Sequence, residues 1–206
     1  MVNMLLETLQ PTLKSFLSAK DPISPERQAQ LRAIADAIHA NNDDIDLTFI
    51  CTHNSRRSHL AQVWAQVAAA HYNISGIRTH SGGTEATACN HRTVRALRRS
   101  GFSIVDTTGG DNPRYLIQYS ELHPPLSVHS KIYDQGGNPE EGYLAILTCN
   151  HADQNCPIVR GAKYRFPLPY IDPKISDDTP EEDTTYHERS LQIAREMFQL
   201  FYTLTH

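Results

Sequence analysis

Long apolar runs are missing from the sequence, and no window approaches the roughly 18 uninterrupted apolar residues that a transmembrane helix needs. The 206 residues are 39% hydrophobic and 20% charged, which is ordinary for a globular protein. An excess of positive charge is also absent, since the formal net charge is -4. Nucleic acids and anionic lipids attract basic surfaces. We therefore expect neither a nucleic-acid nor a membrane partner, and we favour a small-molecule or protein-side-chain substrate.

Cysteine is scarce, and the four cysteines are Cys51, Cys89, Cys149 and Cys156. No apolar signal segment is seen at the N-terminus, and a chain of this length buries enough surface to fold without disulfide staples. These features predict a reducing, cytoplasmic location, in which a cysteine is reactive, metal-bound or simply buried.

The chain divides into two regions that differ in their sequence pattern. Residues 1–45 predict a helical N-terminal extension, in which Ser24 caps a helix and an apolar stripe follows at helical spacing. Residues 46–206 predict a second domain that alternates strands with helices, which favours a parallel sheet covered by helices. Glycine and proline pairs interrupt this alternation at about 107–142, where we expect an inserted loop or hairpin. The strands of the sheet are predicted at 46–51, 77–81, 144–149 and, at an edge, 164–167.

The sharpest feature is the C-x5-R-S pattern from Cys51 to Ser58, between a strand that ends at Cys51 and a helix that begins near Ser58. Successive backbone N–H groups in such a loop can converge on one point, at which the positive end of the helix also aims. A tetrahedral oxyanion fits there. Arg57 can bind two of its oxygens at once, and the same field favours the thiolate form of Cys51. The predicted anion-binding residues are Thr52, His53, Asn54, Ser55, Arg56, Arg57 and Ser58.

Other side chains of this loop have supporting roles in the prediction. Ser58 can donate a hydrogen bond to the Cys51 thiolate, and Asn54 can adopt a left-handed backbone conformation and tie the loop together. The alternative interpretation is that Cys51 is an ordinary buried cysteine at a strand end. In that case Arg56 and Arg57 are only a solvated helix start.

The loop and the helix that contains Trp64 resemble the phosphate-binding loop of the low-molecular-weight protein tyrosine phosphatases and of the thioredoxin-coupled arsenate reductases that share their fold. The resemblance extends through Ser81-Gly82-Gly83 and Cys149 to Asp172-Pro173, over about residues 46–201. It implies a flavodoxin-like α/β fold. We expect no cofactor and no metal. The loop alone leaves the two activities open.

A second pair of cysteines favours the reductase. Cys149 ends a predicted strand, and Cys156 follows within a polar stretch that resembles the resolving-cysteine segment of the arsenate reductases. The resemblance implies that Cys51 attacks arsenic, that Cys149 then attacks the Cys51 sulfur, and that Cys156 passes the disulfide to a thioredoxin-like reductant. Two alternatives stay open, namely Cys149 as plain core, or a zinc site of Cys51, Cys149, His151 and Cys156. Cys89 matches no partner in either motif and is expected to be structural.

Asp172-Pro173 resembles the family's general-acid loop, in which a carboxylic acid protonates the leaving oxygen. The alternative is an ordinary turn. Arg56 stands where the relatives carry a second loop cysteine, Lys174 where the phosphatases often place an aromatic residue, and Gln62 where some reductases have a cation-binding glutamate. We therefore expect no bound potassium ion. The acids between Asp177 and Asp183 are expected to form only a solvated helix entrance.

The sequence thus predicts a thiol-dependent arsenate reductase that acts on arsenate or a phosphorylated substrate. The main rival is a hydrolase of phosphotyrosine or of a small phosphomonoester, in which water cleaves a phosphocysteine. A third class is a redox-sensing or anion-binding module whose helical extension contacts a partner. The predicted catalytic residues are Cys51, Arg57, Ser58, Cys149, Cys156 and Asp172.

Overall fold

A computed structural model describes residues 5–18, 22–41, 44–150 and 158–206 of the chain. Within these residues the strands are β1 (Ile45–Cys51), β2 (Ile77–Gly83), β3 (Ser103–Asp106), β4 (Tyr115–Gln118), β5 (Leu126–Val128), β6 (Leu144–Leu147) and β7 (Tyr164–Pro167). The α-helices are α1 (Gln10–Leu17), α2 (Pro25–His39), α3 (Arg57–His71), α4 (His91–Arg99) and α5 (Glu182–Thr205). Short 3-10 turns lie at Glu7–Leu9 and Pro173–Ser176.

Strand β1 lies in the middle of a parallel sheet whose order is β2-β1-β6-β7. Its β-branched and apolar residues suit a strand that is covered on both faces. It pairs with β2 so that Cys51 lies opposite Gly83, and with β6 so that Ile50 lies opposite Leu147. The prediction of a parallel sheet of about four strands flanked by helices is confirmed.

The carboxyl ends of these four strands lie at the same edge of the sheet, because all of the pairings are parallel. The predicted edge strand is confirmed as β7, where Pro167 is tolerated. Strand β6 ends at Leu147, so Cys149 follows the strand instead of closing it. The segments that carry Cys51 and Cys149 therefore leave neighbouring strands side by side.

Helix α3 is buried along most of its length because it packs against β1, β2 and α5. Its Trp64 is fully buried and donates from Nε1 to Ser190 Oγ of α5 at 2.9 Å. The indole also makes edge contacts with the rings of Phe16 and Phe102. No helix in the described part of the chain is both long and apolar enough to cross a membrane.

The N-terminal helices pack into the main core. Phe16 of α1 and Leu31 and Ile34 of α2 belong to the same buried cluster as the sheet and α5. The predicted cap of α2 is confirmed, since Ser24 Oγ accepts a hydrogen bond from the amide of Arg27 at 3.2 Å. The domain division at residue 45 stays a prediction, and the described residues on its two sides share one core.

The segment at 107–142 contributes to a second, antiparallel sheet of order β3-β4-β5. The expected hairpin corresponds to β4 and β5, which pair with each other. The chain then reaches the end of β2, where the amide of Gly83 donates to Lys131 O at 2.9 Å and the amide of Tyr133 donates to Gly83 O at 3.0 Å. The inserted segment is therefore in direct contact with the edge of the sheet where Cys51 lies.

Candidate active site

The loop between β1 and α3, residues 52–56, is fixed by hydrogen bonds from other segments of the chain. The acceptors are carbonyl groups of the loop and of Cys51. The bonds run from Thr84 N to Cys51 O (3.1 Å), from Glu85 N to Thr52 O (2.8 Å), from Ser130 Oγ to His53 O (2.9 Å) and from Asn90 N to Ser55 O (3.0 Å). The amides of residues 53–57 donate to no acceptor among the described residues. A run of unused amides at a helix N-terminus is the arrangement that binds oxyanions.

Gly83 lies against this loop without a gap. A Cβ atom at this position would lie 2.6 Å from the carbonyl oxygen of Thr52 and 2.7 Å from the amide nitrogen of Asn54. These distances are far shorter than van der Waals contact, and both partners are backbone atoms that cannot rotate away. Only glycine fits where the end of β2 touches the loop.

Asn54 and Ser58 fix the surroundings of the Cys51 sulfur. Asn54 adopts the predicted left-handed backbone, with φ of 44°, and its Nδ2 donates to Ser58 Oγ at 2.9 Å. Ser58 Oγ lies 3.2 Å from Cys51 Sγ. Because a hydroxyl group carries one donor and two acceptor lone pairs, Ser58 can donate to a thiolate at Cys51 while its oxygen accepts from Asn54.

Arg57 and Asp172 meet at the entrance of α3. The guanidinium Nη2 lies 2.7 Å from Asp172 Oδ2, and Nη1 donates to Tyr170 O at 3.1 Å. The Nε of Arg57 is buried and has no acceptor in the described residues. The same carboxylate accepts a bond from the amide of Lys174 at 3.1 Å. The Asp-Pro segment is thus brought to the loop, and the Nε of Arg57 is left without an acceptor among the described residues.

The side chain of Arg56 is engaged with other side chains, and its Nε lies 4.0 Å from Asp172 Oδ1. Its Nε donates to Tyr186 Oη at 2.6 Å, and its Nη2 donates to Asp177 Oδ2 at 3.1 Å. Since this guanidinium is engaged with the region of α5, only the backbone amide of Arg56 is available to an anion in the loop. Tyr186 and Asp177 are anchoring residues that the sequence analysis did not find.

The expectation that the acids between Asp177 and Asp183 form only a solvated helix entrance is wrong. They form ion pairs with the arginines of α4, because α4 and α5 pack side by side and present opposite charges. The signal for this contact in the sequence was the repetition of arginine along α4, together with the run of acidic residues before and at the start of α5. The pairs are Arg92 with Asp177, Asp178 and Glu182, Arg95 with Glu182 and Asp183, and Arg99 with Asp183.

Cys149 lies inside the site. It is 1% exposed and forms a small buried cluster with Cys51 that contains no other residue among those described. Its Sγ also lies 3.5 Å from Thr52 Oγ1. Cys156, predicted as the second resolving cysteine, lies outside the described residues, as does His151 of the zinc alternative.

Two histidines of this region differ in their surroundings. His53 is about half exposed and its Nε2 lies 3.7 Å from Glu85 Oε2, so the side chain faces solvent. His59 is fully buried and its Nδ1 lies 3.0 Å from Ser81 Oγ. Burial and the charge of Lys131 lower the pKa of His59 to about 3. His59 is therefore neutral at physiological pH and adds no charge beneath the loop.

A cavity of about 550 Å³ opens beside the loop. Its wall includes His53 and Ser55 of the loop, Asn90 before α4, and Lys174 after the Asp-Pro pair. Lys174 stands there in place of the aromatic residue that the phosphatases often carry. The cavity leaves space next to the loop for a group larger than a bare oxyanion.

No protein-family model matches the chain, and its sequence relatives were found by direct comparison. An enzyme of Staphylococcus epidermidis named arsenate reductase 2 is 28% identical over 118 residues, which cover 57% of this chain and 70% of the relative. A protein of Bacillus licheniformis named arsenate reductase is 27% identical over 142 residues, which cover 68% of this chain and 83% of the relative.

Solved structures share the fold. A mutant of YwlE from Bacillus subtilis aligns with a TM-score of 0.54 at 17% identity, over 79% of this chain and all of that one. A low-molecular-weight protein tyrosine phosphatase from T. tengcongensis gives 0.52 at 16% identity, over 78% of this chain and all of that one. An arsenate reductase from Archaeoglobus fulgidus gives 0.51 at 17% identity, over 76% of this chain and 98% of that one.

The chain has the fold of the low-molecular-weight tyrosine phosphatases, which the solved structures named as a phosphatase and as an arsenate reductase share. The curated arsenate reductases among its sequence relatives support the superfamily of low-molecular-weight protein tyrosine phosphatases and arsenate reductases.

Proposed function

We propose that the protein is an arsenate reductase that uses Cys51, Cys149 and Cys156 in succession. The observation that carries the proposal is the small buried cluster that Cys51 and Cys149 form next to the loop. A phosphatase needs one thiol, whereas reduction of arsenate takes two electrons and requires a second thiol to attack the first. The relatives named arsenate reductase support the same assignment.

The first step forms a bond between sulfur and arsenic. Arsenate lies on the unused amides of the loop and on the Nε of Arg57, and the Cys51 thiolate attacks arsenic. One hydroxyl of arsenate leaves as water after it accepts a proton from Asp172. The product is a covalent adduct of Cys51 in which arsenic is still in the +5 state.

The second step reduces arsenic. The Cys149 thiolate attacks the Cys51 sulfur, and the electron pair of the sulfur–arsenic bond remains on arsenic, which leaves as arsenite in the +3 state. The two sulfurs are oxidised to a disulfide. Thiol–disulfide exchange requires sulfur-to-sulfur contact, and the burial of Cys149 in one cluster with Cys51 supports this step.

The third step returns Cys51 to its reduced form. The Cys156 thiolate attacks Cys149, and a disulfide between Cys149 and Cys156 replaces the one at Cys51. A thioredoxin-like dithiol then reduces that disulfide and becomes oxidised itself. The need for reduced thiols agrees with the cytoplasmic location expected from the sequence.

Phosphoester hydrolysis is the second candidate function. Cys51 lies next to Ser58 and Arg57 pairs with Asp172, and these four groups would suffice for a phosphocysteine that water cleaves. The cavity of about 550 Å³ beside the loop offers space for the remainder of a phosphomonoester. In this function Cys149 has no chemical role, and this difference makes the two candidates separable.

The experiment measures both activities in the same set of variants. Arsenate is supplied with thioredoxin, thioredoxin reductase and nicotinamide cofactor, and hydrolysis of p-nitrophenyl phosphate is followed in parallel. Cys149→Ser should lose arsenate turnover by about 1,000-fold and keep any phosphatase activity. Cys51→Ser should lose both. Cys89→Ser is the matched control, a buried cysteine outside the proposed relay, and should keep both.

The order of the relay can be read from a single turnover. Cys156→Ser should reduce one equivalent of arsenate without thioredoxin and stop as a Cys51–Cys149 disulfide, visible by mass spectrometry of the peptides. Wild-type turnover of arsenate by Cys149→Ser would overturn the relay. Hydrolysis without arsenate reduction in the wild type would establish the phosphatase, and the absence of both activities would favour a binding module.

A further inference from the structure

A second cavity, of about 250 Å³, lies on the other side of β2 from β1, between the main sheet and the inserted segment. Its wall carries several basic or hydrogen-bonding side chains, and none of the described residues that line it is acidic. Most of them come from residues 114–138. The polar lining used below consists of Gln62, His80, Arg114, Ser127, His129 and Lys131.

Lys131 is the central group of this cavity. The residue is 9% exposed, and its ammonium has no hydrogen-bond or ion-pair partner among the described residues. Its backbone is fixed at both ends, since its amide donates to Asn54 Oδ1 at 2.9 Å and its carbonyl accepts from Gly83 at 2.9 Å. Burial and the neighbouring Arg114 lower the pKa of Lys131 to about 8. The group is still mainly charged at neutral pH, and a buried charge without a counter-ion is costly.

His129 offers a second donor without an acceptor. Arg114 donates from Nη1 to Ser127 Oγ at 3.1 Å and lies with Nη2 3.5 Å from His129 Nε2. Since arginine only donates, Nε2 accepts and the ring proton lies on Nδ1. That Nδ1 is buried and has no partner in the described part of the chain. His129 thus lines the cavity beside Lys131 and carries a buried ring donor without a partner among the described residues.

The nearby carboxylate does not neutralise this charge. Asp46 lies 2.7 Å from His80 Nε2 and 3.0 Å from Arg78 Nε, so it is already engaged with two other groups. Gln62 brings only a neutral carbonyl oxygen, which is itself buried and without a partner. The charge of Lys131 is thus left for a ligand to compensate.

We propose that this cavity is a second oxyanion site, which binds a tetrahedral dianion of the phosphate or sulfate class on Lys131, His129 and Arg114. An anion is favoured because every charged side chain that lines the cavity is basic, and a metal is disfavoured because no acidic ligand lines the space. The site is separate from Cys51, and the backbone of Lys131 connects the two through its bond to Asn54. The proposal is independent of the reaction at Cys51.

The test counts bound sulfate by isothermal titration calorimetry at pH 7. The wild type should bind two equivalents, one in the loop and one at Lys131, and chloride at equal ionic strength should displace neither. Lys131→Met keeps the length of the side chain without its charge and should bind one equivalent. Lys163→Met, which removes a lysine that bonds to Asn41 instead, is the control and should bind two.

A pair of glycines gives a finer test. A Cβ on Gly136 would lie 2.7 Å from Cδ of Lys131, whereas a Cβ on Gly137 would meet nothing within 4 Å. Both glycines have positive φ, 66° and 83°, so alanine strains the backbone at both. Gly136→Ala should displace the lysine and weaken the second sulfate by about tenfold, and Gly137→Ala should weaken it by less than about twofold.

A melting experiment separates lost binding from lost folding. In sulfate-free buffer Lys131→Met should melt a few degrees above the wild type, because it removes an uncompensated buried charge. Its midpoint should then rise less with added sulfate than that of the wild type. One sulfate equivalent in the wild type, or two in Lys131→Met, would overturn the second site.

Discussion

Cys51 and Cys89 are buried to the same degree, each 3% exposed, yet their surroundings differ. Cys51 Sγ lies 3.2 Å from the Ser58 hydroxyl, at the start of a loop of unused amides. Burial raises the pKa of Cys89 to about 12, although the nearby charge of Lys131 acts in the opposite direction. Burial alone thus makes a thiol inert, and one cation at a distance does not reverse this. Directed donors around the sulfur are what distinguish a candidate nucleophile from a structural cysteine.

The largest expected difference between the two cysteines is in alkylation. At pH 6 a thiol with a pKa of about 12 is ionised in only about one molecule in a million. Iodoacetamide should therefore modify Cys51 at least about 1,000-fold faster than Cys89, as measured by mass spectrometry of the digested protein. In urea the two rates should become equal. Equal rates in the folded protein would show that the loop does not activate Cys51.

The next comparison weakens the cationic part of the loop. Arg57→Lys keeps the charge but cannot replace both the bond to Asp172 and the donor at Nε, so kcat/KM for arsenate should fall by about 100-fold. Arg56→Lys is the control for charge at the neighbouring position. It should act mainly on stability, by about 1–2 kcal/mol in urea unfolding, because its partners are Tyr186 and Asp177. The reverse ranking would show that Arg56 is the residue that binds the anion.

A smaller effect is expected when one possible hydrogen-bond donor, the Ser58 hydroxyl, is removed from the surroundings of the Cys51 sulfur. Ser58→Ala should slow the alkylation of Cys51 by about tenfold, since a hydrogen bond to a charged group is worth about 1.5 kcal/mol or more. Ser190→Ala is the matched control, a fully buried serine whose partner is Trp64. It should lower the melting temperature and leave the alkylation rate unchanged. If Ser58→Ala also leaves that rate unchanged, the hydroxyl does not act on the sulfur.

The smallest effect concerns Lys131, the cation near Cys89. Its pKa is about 8 in the folded protein against an ordinary value of 10.5, so between these values the unfolded chain binds more protons. The free energy of unfolding contributed by this group therefore rises with pH, by about 1 kcal/mol from pH 7 to pH 9. Urea unfolding in buffer without phosphate or sulfate should show this rise in the wild type and not in Lys131→Met. Identical pH profiles for the two proteins would mean that Lys131 is not buried as a charge.

The sequence was sufficient for the features that depend on local pattern. The strand, loop and helix around Cys51 lie in one short stretch, so spacing alone predicted the left-handed Asn54 and the contact of Ser58 with the sulfur. Parallel pairing then explains why Cys149 and Asp172, far along the chain, return to the same edge of the sheet. The expectation that Cys149 and Asp172 lie near the loop needed only the order of the strands.

The features that the sequence did not predict are contacts between residues far apart in the chain. Such contacts leave no repeating pattern in the sequence. Ser130 and Lys131 hold the loop from an inserted segment whose glycine and proline pairs indicated only a break in the pattern. The apolar stripes of α1 and α2 did not indicate which elements they pack against, and these are α5 and the sheet. Tyr186 carries no motif and is found only when Arg56 reaches it.

The close fit of Gly83 against the loop has a consequence for the timing of catalysis. With two backbone segments locked together, the loop acquires its final curvature when the chain folds and has little freedom left to lose when a substrate arrives. Its dipoles are already oriented at the first encounter, so no reorganisation must precede the attack by sulfur. A methyl group at Gly83 would separate the two backbone segments. The loop would then have to become ordered again in every catalytic cycle.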